Sequence, residues 1–340
     1  MTDTKAAIEQ TADAALQITA KTIADAAIRI APHTIQTPLM ESPLLNQLLG
    51  IRLLVKAECL QHTGAFKLRG ASNVIWSLGD EVKHVVAYSS GNHAQGVARA
   101  AASRGIKATI VMPEDAPANK VEGTRAFGAE IVFYDRYSQN REEIGEAITK
   151  THNAELVRPY EDVRIIAGQG TVGHEIAAQC AAMNITPDAL LCCCGGGGLI
   201  AGTSIALKAA FPDIDIWSAE PAFYDDTKRS LESGKIQTAD ISKKSICDAI
   251  VTPQPGQMTF AINRNNLSGG AVVSDELALK AIATAFKYLK IIIEPGGAVA
   301  LAAALDGQYP AGAKTVIAVA SGGNIDNQMF ARALDAGALI

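Results

Sequence analysis

Apolar runs of strand length alternate with helix-length stretches along nearly the whole chain. Residues 53–55, 85–88, 109–112, 131–133, 190–194, 214–219 and 316–320 read as strands, each a short apolar run between helical patterns. This alternation is the mark of α/β architecture with parallel strands, and it predicts two open twisted sheets with flanking helices. The Ala-rich stretch 11–30 has no strand before it and predicts one long helix packed across the outside of a domain. The compact series 85–88, 92–104, 107–112, 117–127, 130–133 and 141–149 predicts a small unit, 84–160, inserted into a large one made of 1–83 and 161–340. Ligands of open α/β sheets bind at the carboxyl ends of the strands, so a cleft between the two units is the expected site. Residues 233–268 show the least regular pattern.

Composition narrows the classes. The 340 residues are 48% hydrophobic and 19% charged, enough to bury a large core. A net charge of −5 without a long basic run argues against nucleic acid or an anionic membrane as partner and favours a small molecule. No apolar stretch reaches the length of a membrane span, and the start Met1-Thr2-Asp3-Thr4-Lys5 lacks the features of an export signal. Cys59, Cys180, Cys192, Cys193, Cys194 and Cys247 show no extracellular spacing and read as reduced core residues of a cytoplasmic protein.

Candidate chemistry gathers where strands end. Gly195, Gly196, Gly197 and Gly198 follow an apolar run and lead into Leu199 and a helical stretch. Residues without Cβ let backbone N–H groups approach an anion, and the positive end of the following helix favours negative charge. Read alone, the run is a phosphate cradle or a ligand-free turn, and no Gly-Lys-Ser/Thr makes it a Walker loop. Ser89, Ser90, Gly91, Asn92 and His93 follow another strand and open a helix, as a carboxylate nest or a helix cap. Lys67, beside Phe66 and between glycine-containing turns, would be partly buried, and desolvation favours the neutral amine that condenses with an aldehyde. Ser321 begins Ser-Gly-Gly-Asn after a third strand.

Together these pieces resemble one family. Gly64-Ala65-Phe66-Lys67-Leu68-Arg69-Gly70, Ser89-Ser90-Gly91-Asn92-His93, Ile166-Ala167-Gly168-Gln169-Gly170-Thr171, the four glycines, Ile293-Glu294-Pro295 and Ser321-Gly322-Gly323-Asn324 occur in the order found in the serine/threonine dehydratase and serine racemase branch of the fold type II (tryptophan synthase β-like) pyridoxal-phosphate enzymes. The resemblance implies that Lys67 carries the cofactor as a Schiff base and later moves the Cα proton. It implies that Gly195, Gly196, Gly197, Gly198 and the Leu199 amide hold the phosphate, that Asn92 meets the ring 3′ oxygen, and that Ser321 partners the pyridine nitrogen. A neutral hydroxyl at that nitrogen does not stabilise a pyridinium, which makes a weaker electron sink and favours rapid loss of a β-hydroxyl.

The same resemblance gives a PLP-dependent ammonia-lyase acting on L-threonine or L-serine, with serine or aspartate racemisation and 3-hydroxyaspartate dehydration as alternatives. Ser90 matches the serine that exchanges a second proton in racemase-like members. Glu220, the Tyr224 carbonyl and Asp226 match a magnesium or calcium site there; from the residues alone, an acidic helix start stands beside that reading. A homodimer is implied as well, and the short stretch after Ser321 leaves no room for a regulatory domain. Ala65, Arg158 and Tyr160 depart from the family pattern, and Arg141, Arg158 and His62 are candidate cations for a second substrate carboxylate, with surface arginines that have no such role as the other reading. Two decoys are rejected. Gly168-Gln169-Gly170-Thr171-Val172-Gly173 fits a dinucleotide fingerprint but has its acid, Asp188, in the wrong place, and His174-Glu175 lacks a second histidine four residues after the first.

Overall fold

The alternation of apolar runs and helices builds two separate sheets. The computed structural model describes residues 14–135 and 137–340. In chain order the elements are α1 (Ala20–Ile30), β1 (Leu39–Glu41), α2 (Pro43–Leu49), β2 (Arg52–Ala57), α3 (Lys67–Ser77), β3 (His84–Tyr88), α4 (Asn92–Arg104), β4 (Lys107–Pro113), α5 (Ala118–Ala126), β5 (Glu130–Tyr134), α6 (Arg141–His152) and β6 (Glu155–Leu156). They continue as α7 (Val163–Ala182), β7 (Ala189–Cys193), α8 (Gly198–Ala210), β8 (Asp215–Pro221), α9 (Asp226–Ser233), α10 (Gln257–Asn266), β9 (Gly269–Val273), α11 (Asp275–Thr284), α12 (Pro295–Leu305), β10 (Thr315–Ala320) and α13 (Asn327–Ala336).

One sheet has the order β1-β2-β10-β7-β8-β9, with β1 antiparallel to β2 and every other pair parallel. The other, β5-β4-β3-β6, is wholly parallel. Parallel strands are covered on both faces, which is why β7 reads Ala-Leu-Leu-Cys-Cys and is buried throughout. Helix α12 is apolar all round and every residue of it is buried, as a helix at the centre of a large core must be. The core of the four-stranded sheet takes Leu68, Ala71, Val74 and Ile75 from α3 and Ile165 from α7, so the helix that begins at Lys67 packs with that sheet.

Glycines set how closely α3, α7 and α8 approach. A Cβ on Gly168 would lie 2.7 Å from Gly70 Cα, one on Gly170 would lie 2.9 Å from the Gly202 carbonyl oxygen, and one on Gly202 would collide with the Ile166 carbonyl. The dinucleotide-like glycines therefore sit inside α7 as packing positions, not in a strand-to-helix turn. Glu175, the second residue of the other decoy, is ion-paired with Lys56 at 2.6 Å and Arg69 at 2.6 Å.

The structure corrects several local expectations. The helix predicted over 11–30 is interrupted at 17–19, and its first three residues lie outside the described residues. Thr19 and Thr22 form a reciprocal capping box that starts α1 afresh at Ala20, a stop and restart that alanine content conceals. Strands β1, β6 and β9 add to those expected from the apolar runs. The first two have three and two residues, and β9 opens on two glycines that strand propensity disfavours. Those glycines are needed there, since a Cβ on Gly269 would meet the Trp217 ring at 2.9 Å and one on Gly270 the Ser218 hydroxyl at 2.6 Å. Within the segment expected to be irregular, 257–266 is the regular helix α10. Among the described residues no helix is long and apolar enough to cross a membrane.

Candidate active site

The carboxyl ends of β3, β7 and β10 and the first residue of α3 border one cavity of about 360 Å³. Lys67 stands at the N-terminus of α3, and the turn before it is tied to the turn after β10. Phe66 N–H donates to the Ser321 carbonyl at 3.0 Å, Gly323 N–H donates to the Gly64 carbonyl at 2.8 Å, and Ala65 pairs with Gly322 as an isolated bridge. Gly64 takes φ +69°, and a Cβ on it would come within 2.5 Å of Asn324 Oδ1, so this turn requires glycine. Lys67 and Ser321 are thereby held in fixed relation. Lys67 Nζ donates to the Pro159 carbonyl at 3.0 Å, and burial pushes its pKa down to about 8.

Gly195, Gly196, Gly197, Gly198 and Leu199 line the same cavity. Their carbonyls are engaged on the far side: Gly196 O accepts from Thr259 Oγ1 at 2.6 Å and from Gly256 N–H at 3.3 Å, and Gly197 O accepts from Asn263 Nδ2 at 3.5 Å. Gly197 is the N-cap of α8, with φ +89° and no side-chain cap, so the first-turn amides of the helix are left for another acceptor. A Cβ on Gly196 would lie 2.5 Å from the Tyr160 ring and one on Gly195 2.9 Å from the Ile250 carbonyl oxygen. The loop is bare backbone because its neighbours leave no room for side chains. A cofactor with an anionic tail and an aldehyde fits this pairing of free amides and a neutral-prone amine.

Ser89, Ser90, Gly91, Asn92, His93 and Arg141 also border the cavity. The N-cap of α4 is Gly91 and no side chain caps it, so Ser90 does not serve the ordinary helix-capping role; Ser89 Oγ accepts from Gly91 N–H at 3.2 Å. Asn92 Nδ2 donates to Glu294 Oε1, and Asn92 Oδ1 accepts from Asn324 Nδ2 at 2.8 Å, which fixes the amide in place. Glu294 is buried, its carboxyl pushed up to about 7 by desolvation against the pull of Lys120, whose Nζ is 3.8 Å away. His93 Nε2 faces the Val157 carbonyl at 3.0 Å, and burial, with Lys67 nearby, pushes its pKa down to about 3, so the ring is neutral. Arg141, though exposed, borders the cavity, lies 5.3 Å over the Tyr88 ring and donates to Glu142 at 2.9 Å, while Arg158 and His62, also exposed, do not border the cavity.

Glu220, at the end of β8, accepts from the Thr227 and Lys228 amides, each at 2.8 Å, and so satisfies the start of α9. Desolvation, then the Asp226 carboxylate, pushes Glu220 up to about 8, and desolvation pushes Asp226 up to about 7. Among the described residues, Asp226 Oδ2 is buried without a partner. Two adjoining buried carboxylates, one with an orphaned oxygen, suit a hard divalent cation with a backbone carbonyl such as that of Tyr224 as a further ligand. Among the described residues there is no group of three or more His, Cys, Asp or Glu side chains of ligating geometry.

Residues 30–322 match the family model described as pyridoxal-phosphate dependent enzyme. The chain belongs to this family. It is similar to L-threo-3-hydroxyaspartate ammonia-lyase of Saccharomyces cerevisiae, 39% identical over 91% of this chain and 94% of that one. It is similar to serine racemase of Oryza sativa subsp. indica, 38% identical over 89% and 90%. Among solved structures it resembles maize serine racemase, 37% identical, with a TM-score of 0.87 over 93% of this chain and 97% of the other. A threonine deaminase structure is 44% identical, with a TM-score of 0.85 over 91% of this chain and 99% of the other. The enzyme has the fold type II architecture, and its cofactor is pyridoxal phosphate.

Several residues in and behind the cavity wall have contacts that no local sequence signal gives. Cys193 ends β7 as one of three adjacent cysteines, and nothing in the run distinguishes it. Lys120 is buried in α5 and reaches Asp248, 128 positions away, at 2.7 Å. Glu294 belongs to a recognised motif, but only the fold reveals its contact with Asn92.

Proposed function

We propose that the enzyme removes water and then ammonia from a β-hydroxy amino acid, and that its preferred substrate is 3-hydroxyaspartate. The observation that carries the preference is Arg141, which borders the cavity with Lys67 and the Ser89 to His93 turn. Of the three cations considered for a second carboxylate, it alone stands there, and this shifts the preference away from threonine and serine. A relative 39% identical is named for the same amino acid.

The bound cofactor supplies an electron sink that acidifies the substrate Cα–H. Lys67 anchors it and Nζ, neutral when desolvated, accepts the Cα proton. The amides of Gly195, Gly196, Gly197, Gly198 and Leu199 bind the phosphate, with Phe66 beside them in the wall. Asn92, held by Glu294 and Asn324, orients the ring through its 3′ oxygen. Ser89, Gly91 and His93 seat the α-carboxylate at the start of α4, and Arg141 pairs with the second carboxylate. Loss of the β-hydroxyl as water and hydrolysis of the product imine give a 2-oxo acid and ammonia. Ser90, on the same cavity, supplies a second proton carrier for racemisation. A divalent cation at Glu220, the Tyr224 carbonyl and Asp226 neutralises the paired carboxylates at the end of β8.

The test is Arg141→Met assayed on threo-3-hydroxyaspartate, L-threonine and L-serine, scoring 2-oxo acid and the chirality of recovered substrate. Loss of a charge-assisted pair lowers kcat/KM for hydroxyaspartate by about 10- to 100-fold and leaves threonine within about threefold. Equal loss on all three substrates, or no loss, rejects the dicarboxylate reading.

A further inference from the structure

Cys193 and Ser321 meet at the cavity wall. β7 and β10 are parallel neighbours, and their carboxyl ends bring the two side chains together, Cys193 Sγ donating to Ser321 Oγ at 3.1 Å. Both residues border the cavity and are otherwise buried. The flanking thiols are directed elsewhere: Cys192 Sγ to the Cys193 carbonyl at 3.6 Å, and Cys194 Sγ to the Thr227 hydroxyl at 3.2 Å. Of the three adjacent cysteines, Cys193 alone reaches Ser321.

A hydroxyl that accepts a hydrogen on its oxygen keeps its own hydrogen for another acceptor. Among the described residues, Ser321 Oγ has no other protein partner, and the open side of its position is the cavity. We propose that Cys193 is a positioning residue whose thiol, by donating to Ser321 Oγ, turns the Ser321 hydroxyl hydrogen into the cavity as the donor to the cofactor's ring nitrogen. This rests on the assignment of Ser321 as partner of that nitrogen. With the thiol in place, the hydroxyl presents a hydrogen rather than a lone pair, and the nitrogen is held as an unprotonated acceptor. The thiol thus sets the polarity of the contact without touching the cofactor's reacting atoms.

The experiment compares wild type with Cys193→Ser, which keeps a donor, Cys193→Ala, which removes it, and Cys193→Val, which fills the thiol's volume without a donor. Cofactor affinity by fluorescence titration and the visible spectrum of the bound cofactor across pH are the readouts. Cys193→Ala and Cys193→Val should bind about three- to tenfold more weakly and show a shifted visible band, while Cys193→Ser stays within about twofold of wild type. Either apolar variant suffices if the other does not fold. Unchanged affinity and spectrum in the apolar variants overturn the proposal, as does a serine variant impaired as severely as they are. A wild-type pyridoxyl adduct at Lys67 together with unchanged apolar variants rejects the Cys193 role alone; absence of that adduct rejects the cofactor assignment beneath it.

Discussion

The Lys67 amine should titrate far below an ordinary lysine in the cofactor-free protein. Burial brings its pKa from 10.5 to about 8, and its Nζ faces the Pro159 carbonyl with no carboxylate partner among the described residues to restore the charge. At about pH 7, roughly a tenth of the amine is neutral at a pKa of about 8, against roughly three parts in ten thousand at 10.5. Condensation with an aldehyde uses the neutral amine, so the fold raises the reactive fraction about 300-fold. Stopped-flow growth of the visible band, with cofactor-free protein mixed with pyridoxal phosphate from about pH 6 to about pH 10.5, reads this directly, after correction with a free amine for the cofactor's own ionisations. The rate should rise about tenfold per pH unit below 8 and level off above it. The unfolded chain binds the proton that the folded chain gives up, so stability of the cofactor-free protein should also rise between pH 8 and 10.5. A rate that keeps climbing to the ordinary lysine range refutes the reasoning.

Gly202→Ala forces a Cβ against the Ile166 carbonyl where α7 and α8 touch, and this backbone cannot yield as a side chain would. It should cost about 1–3 kcal/mol, read as a lowered midpoint in urea unfolding, and a midpoint equal to wild type would show that the helices can part freely. Treatment with a chelator should lower Tm, and added magnesium or calcium should restore it, because Glu220 and Asp226 are left as adjoining buried carboxylates. An unchanged Tm returns these residues to a plain helix start.

The parts legible in the sequence are those whose chemistry is local. The four glycines before Leu199 and the serines after β3 each combine a strand end with a helix start, Lys67 opens a helix after a glycine-containing turn, and the fold brings them to one cavity. What escaped is long-range. The Asn92–Glu294 contact joins residues 202 positions apart, and the Cys193–Ser321 contact joins residues 128 apart; the second arises from the pairing of β7 with β10 and the first from the approach of α4 to the start of α12, neither of which periodicity encodes. The glycines of α7 show the converse. Their spacing matches a nucleotide fingerprint, but in the fold they are needed because neighbouring helix backbones occupy the space of a Cβ. Tertiary packing likewise separates the arginines, since Arg141 lies on the cavity and Arg158, next to Pro159 in sequence, does not.

Borohydride reduction of the cofactor-loaded enzyme, followed by peptide mapping, tests the central claim most directly. The account predicts a single pyridoxyl adduct on the peptide that carries Lys67, lost in Lys67→Ala with the fold retained; an adduct on another lysine, or none, contradicts it.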